Sequence, residues 1–236
     1  MKTFFKILSV VITLFGMLFL LFSPMTGSVI IGIAVLIWII ADRKKPEQKD
    51  AQEPQKVSRH PSIDTSHVRE NPIIIDLETT GLDQFKDEIL SCAIVDKNGT
   101  VLFDRMFKPV RRERWPAAEK VNHITPKDVA LCSSFTESKD EIQRIIDSHT
   151  AIVGYNVEFD LKFLEANGIK QSCPSVDVMA RYGWMTDRDA SRRHKLTTAA
   201  DLLGYEWQGS AHTALADAQA TLYVYRKTLE DEGLSL

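Results

Sequence analysis

The sequence contains few cysteines, glycines and prolines. Its 236 residues include 3 Cys, 11 Gly and 9 Pro, and Cys92, Cys132 and Cys173 are widely spaced, with no CxxC pair. This cysteine pattern excludes a disulfide scaffold and a zinc ribbon, and it favours a reducing compartment. The low Gly and Pro content, together with 26% charged residues, excludes a collagen-like or low-complexity chain.

Charged side chains are missing from a long segment near the amino terminus. No charged residue lies between Ile7 and Ala41, and turn-forming residues at 23–28 divide this run in two. The first stretch has the ~20 apolar residues of a transmembrane helix, and the second does if it begins near Met25. We predict a transmembrane helical hairpin over residues 1–41. A secretory signal peptide is the alternative, but no small-residue cleavage site follows the first stretch.

Basic residues flank the predicted hairpin on both sides. Lys2 and Lys6 precede the first span, the basic segment 43–45 follows the second, and the connecting turn is uncharged. Because positive charge marks the cytoplasmic side of a membrane protein, both ends of the hairpin are predicted to be cytoplasmic. The expectation is a multi-pass protein of the cell inner membrane, in contact with the lipid bilayer, whose remaining chain lies in the cytoplasm.

The composition changes again after the hairpin. Residues 42–70 alternate basic and acidic side chains, contain three prolines and include almost no large apolar residue. Such a segment cannot bury a core, so we predict a disordered linker. Residues 71–236 are long enough for one hydrophobic core and too short for two.

The periodicity of residues 71–236 predicts an α/β domain. A short apolar run at 72–75 is typical of a buried strand, and two alternating segments, 89–96 and 100–107, flank Asn98-Gly99, a strong hairpin signal. Another strand is predicted over 151–155, and helices are predicted over 137–147, 157–166, 196–203 and 212–229. Together these elements predict a mixed sheet flanked by helices.

Two acidic residues directly follow the first predicted strand. Asp76 and Glu78 are two positions apart, so their side chains project to the same side of the strand. Like charges in this arrangement repel each other unless a cation lies between them, and hard divalent cations prefer carboxylate oxygen. The tight turn at 79–82 brings backbone N–H groups close to any bound ligand. The alternative is an ordinary solvated strand end.

A third acid and a histidine–acid pair follow later in the chain. Asp160 lies in the first turn of the predicted helix 157–166, where an acid also stabilises a helix N-terminus. His212 and Asp217 are five residues apart and cannot share a helical face, so His212 is expected on the loop before the helix. An imidazole beside carboxylates is suited to abstract a proton near neutral pH. A capping histidine and a surface acid are the alternative.

Three segments, in this order, resemble the DEDDh 3′–5′ exonucleases, the group that includes the proofreading epsilon subunit of bacterial DNA polymerase III. The segments are IIIDLETTGL (73–82), IVGYNVEFDLKFL (152–164) and HTALADAQAT (212–221). The resemblance runs from about residue 72 to residue 225 and implies a ribonuclease H-like fold. It also implies that two Mg2+ or Mn2+ ions are held by Asp76, Glu78, Asp160 and Asp217, with His212 as general base. Contacts to the terminal nucleotide are implied for Thr79, Leu82, Phe159 and His123.

The resemblance implies an exonuclease, and the predicted hairpin, in which the chain departs from the soluble epsilon subunit, makes it a membrane-tethered one. Such an enzyme hydrolyses phosphodiester bonds at the 3′ ends of single-stranded DNA or RNA, with DNA favoured, and releases nucleoside 5′-monophosphates. Two alternatives stay open: an exoribonuclease of the RNase T or oligoribonuclease type, and a non-catalytic, membrane-anchored nucleic-acid-binding module. Basic clusters at 105–114 and 188–195 could hold phosphates. No segment indicates a polymerase partner, so the proofreading role does not transfer with the chemistry.

Overall fold

The computed structural model describes residues 65–207 and 211–236. The predicted hairpin at 1–41 and most of the predicted linker at 42–70 lie outside these residues. In the part of the chain that is described, no helix has the length and apolar character to cross a bilayer. The first described element is helix α1, Thr65–Val68, and Val68 is buried. Residues 65–68, assigned to the linker from composition, are therefore helical because an apolar side chain there reaches a core.

The centre of the domain is a mixed sheet, as predicted, and it has five strands rather than the four that the sequence pattern indicates. The strands are β1 (Pro72–Thr79), β2 (Ile89–Asp96), β3 (Val101–Met106), β4 (Ala151–Gly154) and β5 (Ser175–Asp177). Their order across the sheet is β3-β2-β1-β4-β5. Strands β1, β2 and β3 form an antiparallel meander, whereas β4 and β5 run parallel to β1.

Helices cover both faces of this sheet. They are α2 (Pro116–Asn122), α3 (Lys139–Asp147), α4 (Val157–Ala166), α5 (Val178–Asp187), α6 (Leu196–Leu202) and α7 (Ala214–Asp231), and a short 3-10 helix, Phe135–Ser138, precedes α3. Helix α4 has the predicted bounds. Helices α2 and α5 and strand β5 were not predicted from the sequence pattern.

The alternation of side chains along β1 divides the core in two. Ile73 and Ile75 belong to a cluster that includes side chains of α3 and α4. Ile74 belongs to a second cluster, formed with side chains of α5, α6 and α7. Because residues two apart in a strand share a face, Asp76 and Glu78 lie on the Ile74 face, which α7 covers.

Strand β1 is longer than its neighbour β4. Its pairing with β4 extends only from Pro72 to Ile74, whereas its pairing with β2 continues to Thr79. After β4 the chain passes through Asn156, at φ 64°, and enters α4. On the side of β4, the second half of β1 is therefore flanked by the first turn of α4 rather than by a strand. The acidic residues gather at this position.

Candidate metal centre

Three carboxylates meet where β1 faces the start of α7. Asp76 and Glu78 from β1 and Asp217 from the first turn of α7 each offer an oxygen, and these oxygens lie within 4.8 Å of one another. All three side chains are partly buried. A set of carboxylate oxygens at such short separations suits a hard divalent cation, because nothing else in the set balances the negative charge.

Asp160 adds a fourth carboxylate beside this group. It is buried in the first turn of α4, and its Oδ1 accepts a hydrogen bond of 3.0 Å from the backbone N–H of Leu77. After burial, the negative charge of Asp160 is the next cause of the raised pKa of Asp76, so the two carboxylates lie near each other. Asp76, Glu78 and Asp217 thus form the close group, and Asp160 lies beside it rather than within the 4.8 Å set.

The four carboxylates have raised pKa values. Burial is the largest cause for Asp76, followed by the charges of Asp160, Asp217 and Glu78. Burial and the charge of Asp217 raise the pKa of Glu78 to about 8. Burial also raises the pKa of Asp160 and of Asp217. Desolvated like charges favour protonation, and a bound cation would favour the ionised carboxylates instead.

Hydrogen bonds position two of these carboxylates. Leu77 N–H holds Asp160, as described above. The backbone N–H of His212 donates to Asp217 Oδ1 at 3.1 Å. Because each donor favours the ionised form of its acceptor, the two contacts preserve acids that can bind metal. The nearby Asn122 side chain opposes the rise in the pKa of Glu78 that burial causes.

Asn122 is a site residue that the sequence did not identify. It is buried at the end of α2, and its Nδ2 donates to the carbonyl of Thr79 at 3.2 Å. The sequence selected its neighbour His123, which is exposed and caps α2 at φ 60°. The left-handed turn at His123 leaves Asn122 as the residue that faces the end of β1. In the sequence, the only signal that could have identified Asn122 is its place in the segment VNHIT, residues 121–125.

His212 lies on the loop before α7, as predicted. The helix begins at Ala214, and His212 is exposed with φ 66°. Burial raises the pKa of Asp217, and the hydrogen bond from the His212 backbone N–H and the charge of the His212 side chain oppose this rise. The imidazole is therefore close to the carboxylate group and open to solvent.

The predicted nucleotide contacts occupy two different environments. Leu82 and Phe159 line a small cavity of about 190 Å³, together with Asn156 and Lys162. Thr79 is buried, and its hydroxyl donates to the carbonyl of Gly81 at 2.6 Å. Leu82 and Phe159 thus share a cavity wall, whereas the Thr79 hydroxyl supports the turn.

Several arginines of the two basic clusters form ion pairs within the domain. Arg105 forms a bidentate pair with Glu141, at 2.7 and 3.1 Å. In the second cluster, Arg193 lies 3.6 Å from Asp177 Oδ2. Asp177 in turn caps α5 through Met179 N–H and accepts the N–H of Asn156. Arg105 is therefore engaged in holding β3 to α3, and Arg193 lies at the end of the sheet where α4 begins.

Comparison with known sequences gives relatives among nucleases. The exonuclease family model, RNase T, matches residues 73–225. RNA exonuclease 4 of Gibberella zeae is 29% identical over 161 residues, which are 66% of this chain and 48% of that protein. Ribonuclease T of Shewanella frigidimarina is 29% identical over 181 residues (65% and 80%). The epsilon subunit of DNA polymerase III of Aquifex aeolicus is 26% identical over 168 residues (67% and 80%).

Solved structures share the fold. Exonuclease X in complex with 5′ overhanging duplex DNA matches with a TM-score of 0.56 and 19% identity, over 70% of this chain and 94% of that one. E. coli exonuclease I with a dA16 oligonucleotide matches with a TM-score of 0.54 and 20% identity, over 68% and 40%. The chain spans about half the length of the RNA exonuclease 4 relative and most of ribonuclease T. Since the family model covers well over half of its residues, the chain belongs to the exonuclease family.

Proposed function

We propose that the protein is a divalent-metal-dependent 3′–5′ exonuclease of the DEDDh type. It hydrolyses the terminal phosphodiester bond at a nucleic acid 3′ end and releases a nucleoside 5′-monophosphate. The observation that carries this proposal is the meeting of Asp76, Glu78 and Asp217 within 4.8 Å, with Asp160 buried beside them. Membership of the exonuclease family supports the same reaction.

The four acids hold the metal ions, two Mg2+ or Mn2+, in this proposal. Bound cations of this kind lower the pKa of water and stabilise charge on the phosphodiester. The chain positions its ligands through Leu77 N–H on Asp160 and His212 N–H on Asp217. His212 takes the proton of the attacking water, because its imidazole is exposed beside the carboxylates.

The cavity between Leu82 and Phe159 receives the terminal nucleotide. Its apolar walls are Leu82, Phe159 and Phe163, and its polar groups are Gln84, Asn156 and the ion pair of Lys162 with Glu158. Apolar surface beside a few polar groups suits a base and its sugar. The cavity, of about 190 Å³, accommodates no more than one nucleotide unit, which agrees with cleavage at a chain end rather than within a chain.

The substrate is proposed to be single-stranded DNA. Two similar structures, of exonuclease X and exonuclease I, are complexes with DNA, whereas the similarity to RNA exonuclease 4 and ribonuclease T favours RNA as the second candidate. Matched DNA and RNA strands of one sequence distinguish the two. A higher kcat/KM for DNA supports the proposal, and a higher value for RNA assigns an exoribonuclease.

The nuclease domain is proposed to be tethered to the cytoplasmic face of the inner membrane. Support comes from the uncharged segment between Ile7 and Ala41 and the basic residues that flank it. In cell fractionation, we expect the full chain to stay with membranes after an alkaline carbonate wash. Release by the wash contradicts the tether and leaves the nuclease proposal intact.

The nuclease proposal is tested with Asp76→Asn in the full chain. We expect hydrolysis of a labelled single strand in Mg2+ to fall by about 10³-fold or more, because one metal ligand loses its charge. Glu230→Gln is the matched control, since Glu230 is an exposed acid near the far end of α7 that pairs with Lys227. Circular dichroism verifies that both variants fold. Undiminished activity of Asp76→Asn with Mg2+ refutes the site.

A further inference from the structure

Three large apolar side chains are exposed on the loops beside the candidate site. Leu82, Phe85 and Val110 are 84%, 73% and 78% exposed, and we call them the apolar rim. Leu82 also lines the cavity that contains Phe159. The rim therefore starts at the mouth of the proposed nucleotide site and continues away from it.

Hydrogen bonds within the loop hold Leu82 and Phe85 in this position. The N–H of Phe85 donates to Asp83 Oδ1 at 3.0 Å, and the N–H of Asp83 donates to Asp87 Oδ2 at 3.1 Å. The N–H of Glu88 donates to the Thr80 hydroxyl at 2.9 Å. The loop is thus an ordered turn whose apolar side chains point into solvent. Exposed apolar groups in such a fixed arrangement indicate a binding surface.

A second set of contacts attaches the Val110 loop to the Phe85 loop. The Glu88 carboxylate accepts three consecutive backbone N–H groups, from residues 110–112, each at 2.8 Å. The Arg111 guanidinium donates to the backbone carbonyls of Phe85 and Asp87, at 3.0 and 3.3 Å. The two loops therefore form one surface, with Phe85 and Arg111 next to each other.

The charge on this surface is positive at Arg111. The nearby Glu88 carboxylate is already occupied by three backbone N–H groups, and the Arg111 Nε lies 3.8 Å from it. The Arg111 side chain is 59% exposed, and its other acceptors are neutral carbonyls. An exposed aromatic ring beside a solvent-facing guanidinium is the combination with which proteins bind single-stranded nucleic acid.

We propose that the apolar rim and Arg111 bind the nucleotides that lie 5′ of the terminal one in a single strand. This inference rests on the proposed function and names the path of its substrate. A base stacks on Phe85, Leu82 and Val110 contact the neighbouring bases or sugars, and Arg111 pairs with a phosphate. The occupant is a polynucleotide because Leu82 belongs to the rim and also lines the cavity proposed for the terminal nucleotide, where Phe159 directly precedes Asp160 in the chain. Binding to a lipid surface does not require the rim to share a residue with this cavity.

The test compares a short and a long substrate with Phe85→Ala in the full chain. The short substrate is the p-nitrophenyl ester of thymidine 5′-monophosphate, which fills only the terminal site. The long substrate is a DNA single strand of about 20 nucleotides, which extends beyond that site. We expect KM for the long strand to rise roughly 10-fold, with kcat and the hydrolysis of the ester unchanged. The variant Phe85→Trp should have the wild-type KM for the long strand, because tryptophan keeps an aromatic ring at this position.

Leu202→Ala is the matched control. Leu202 is 74% exposed at the end of α6 and does not belong to the rim, so KM for the long strand stays at the wild-type value. An unchanged KM in Phe85→Ala overturns the proposal, and so does an equal loss on both substrates. Strand binding in Ca2+, followed by fluorescence anisotropy, separates this failure from failure of the proposed function. If the wild type binds the strand without hydrolysing it and Phe85→Ala binds the strand more weakly, the rim is supported and the nuclease assignment is removed.

Discussion

The backbone N–H of Leu77 on β1 donates a hydrogen bond to Asp160 Oδ1 on α4, with an N···O distance of 3.0 Å. The pairing of β1 with β4 ends three residues earlier, at Ile74. Asp160 therefore serves as the acceptor for β1 at the point where the neighbouring strand has ended. The same carboxylate acts electrostatically on Asp76. Asp160 thus has a structural role, as the acceptor for Leu77, and an electrostatic role in the acidic site. Mutation can separate the two roles.

The first prediction compares Asp160→Asn with Asp160→Ala. Both variants lose a charged metal ligand, so the rate of strand hydrolysis falls by about 10³-fold in each. The asparagine can still accept the Leu77 N–H, whereas the alanine leaves this buried group without its acceptor. We expect the free energy of unfolding of the alanine variant to be ~1–3 kcal/mol lower than that of the asparagine variant. Urea denaturation measures it, and equal values contradict the double role.

The second prediction concerns pH and metal. The pKa of Glu78 is raised to about 8, so between its ordinary value and about 8 the folded protein binds a proton that the unfolded chain releases. The metal-free protein is therefore most stable at low pH in this range and loses stability as pH rises through about 8. The raised pKa values of Asp76, Asp160 and Asp217 act in the same direction.

Thermal unfolding in EDTA at a series of pH values measures this loss. We expect the melting temperature to fall from pH 5 to pH 9, and added Mg2+ to reverse most of the fall because it favours the ionised carboxylates. Glu78→Gln makes the fall smaller and raises the stability of the metal-free protein at high pH, while it removes activity. A melting temperature that rises over this pH range in EDTA is incompatible with a crowded, buried acid group.

Much of the local structure could be predicted because its causes are local. The bounds of α4, 157–166, follow from the apolar spacing and the Asn167-Gly168 end signal, and the hairpin follows from Asn98-Gly99. Strand β5 has only three residues and becomes a strand through its pairing with β4. The buried positions of α5 include Arg181 and Gly183 beside Val178 and Tyr182, and these two non-apolar residues weaken the apolar period. Strand β5 therefore depends on its pairing with β4, and α5 on its packing against α7.

The site itself could be predicted only in part. Asp76 and Glu78 share a side because a strand alternates, which is local information. The approach of Asp160 and Asp217 depends on tertiary structure, and the sequence indicated it through the resemblance of three motifs. The positions of Asn122 and His123, one buried and one exposed, depend on the left-handed φ of 60° at His123. No periodicity in the sequence indicates the sign of that angle.

The third prediction separates the imidazole of His212 from its backbone. The His212 N–H holds Asp217, and the residue has φ 66°, which asparagine tolerates better than alanine. His212→Asn should therefore keep the fold and the metal affinity while kcat falls by about 10²- to 10⁴-fold, because the general base is lost.

Two measurements accompany this variant. Because a general base accepts the proton of the attacking water, the pH profile of the rate in His212→Asn should differ from that of the wild type. Isothermal titration with Mn2+ should give the same affinity for both proteins. A wild-type pH profile in His212→Asn assigns the proton transfer to another group.

The last prediction concerns Gly81, in the turn that follows β1. A Cβ at this position would overlap the carboxylate of Asp87, which is buried, accepts the N–H of Asp83 and pairs with Arg112 at 3.0 Å. In Gly81→Ala the carboxylate must move, so these contacts weaken, and we expect the free energy of unfolding to fall by ~1–3 kcal/mol. KM for a single strand rises as well, because Leu82 is the next residue.

A double-mutant cycle identifies the cause. In an Asp87→Ala background the overlapping carboxylate is gone, so adding Gly81→Ala costs less stability than it does in the wild type. Urea denaturation of the four proteins gives the coupling between the two positions. An equal cost of Gly81→Ala in both backgrounds means that the backbone conformation at residue 81, and not the approach of Asp87, requires glycine in this turn.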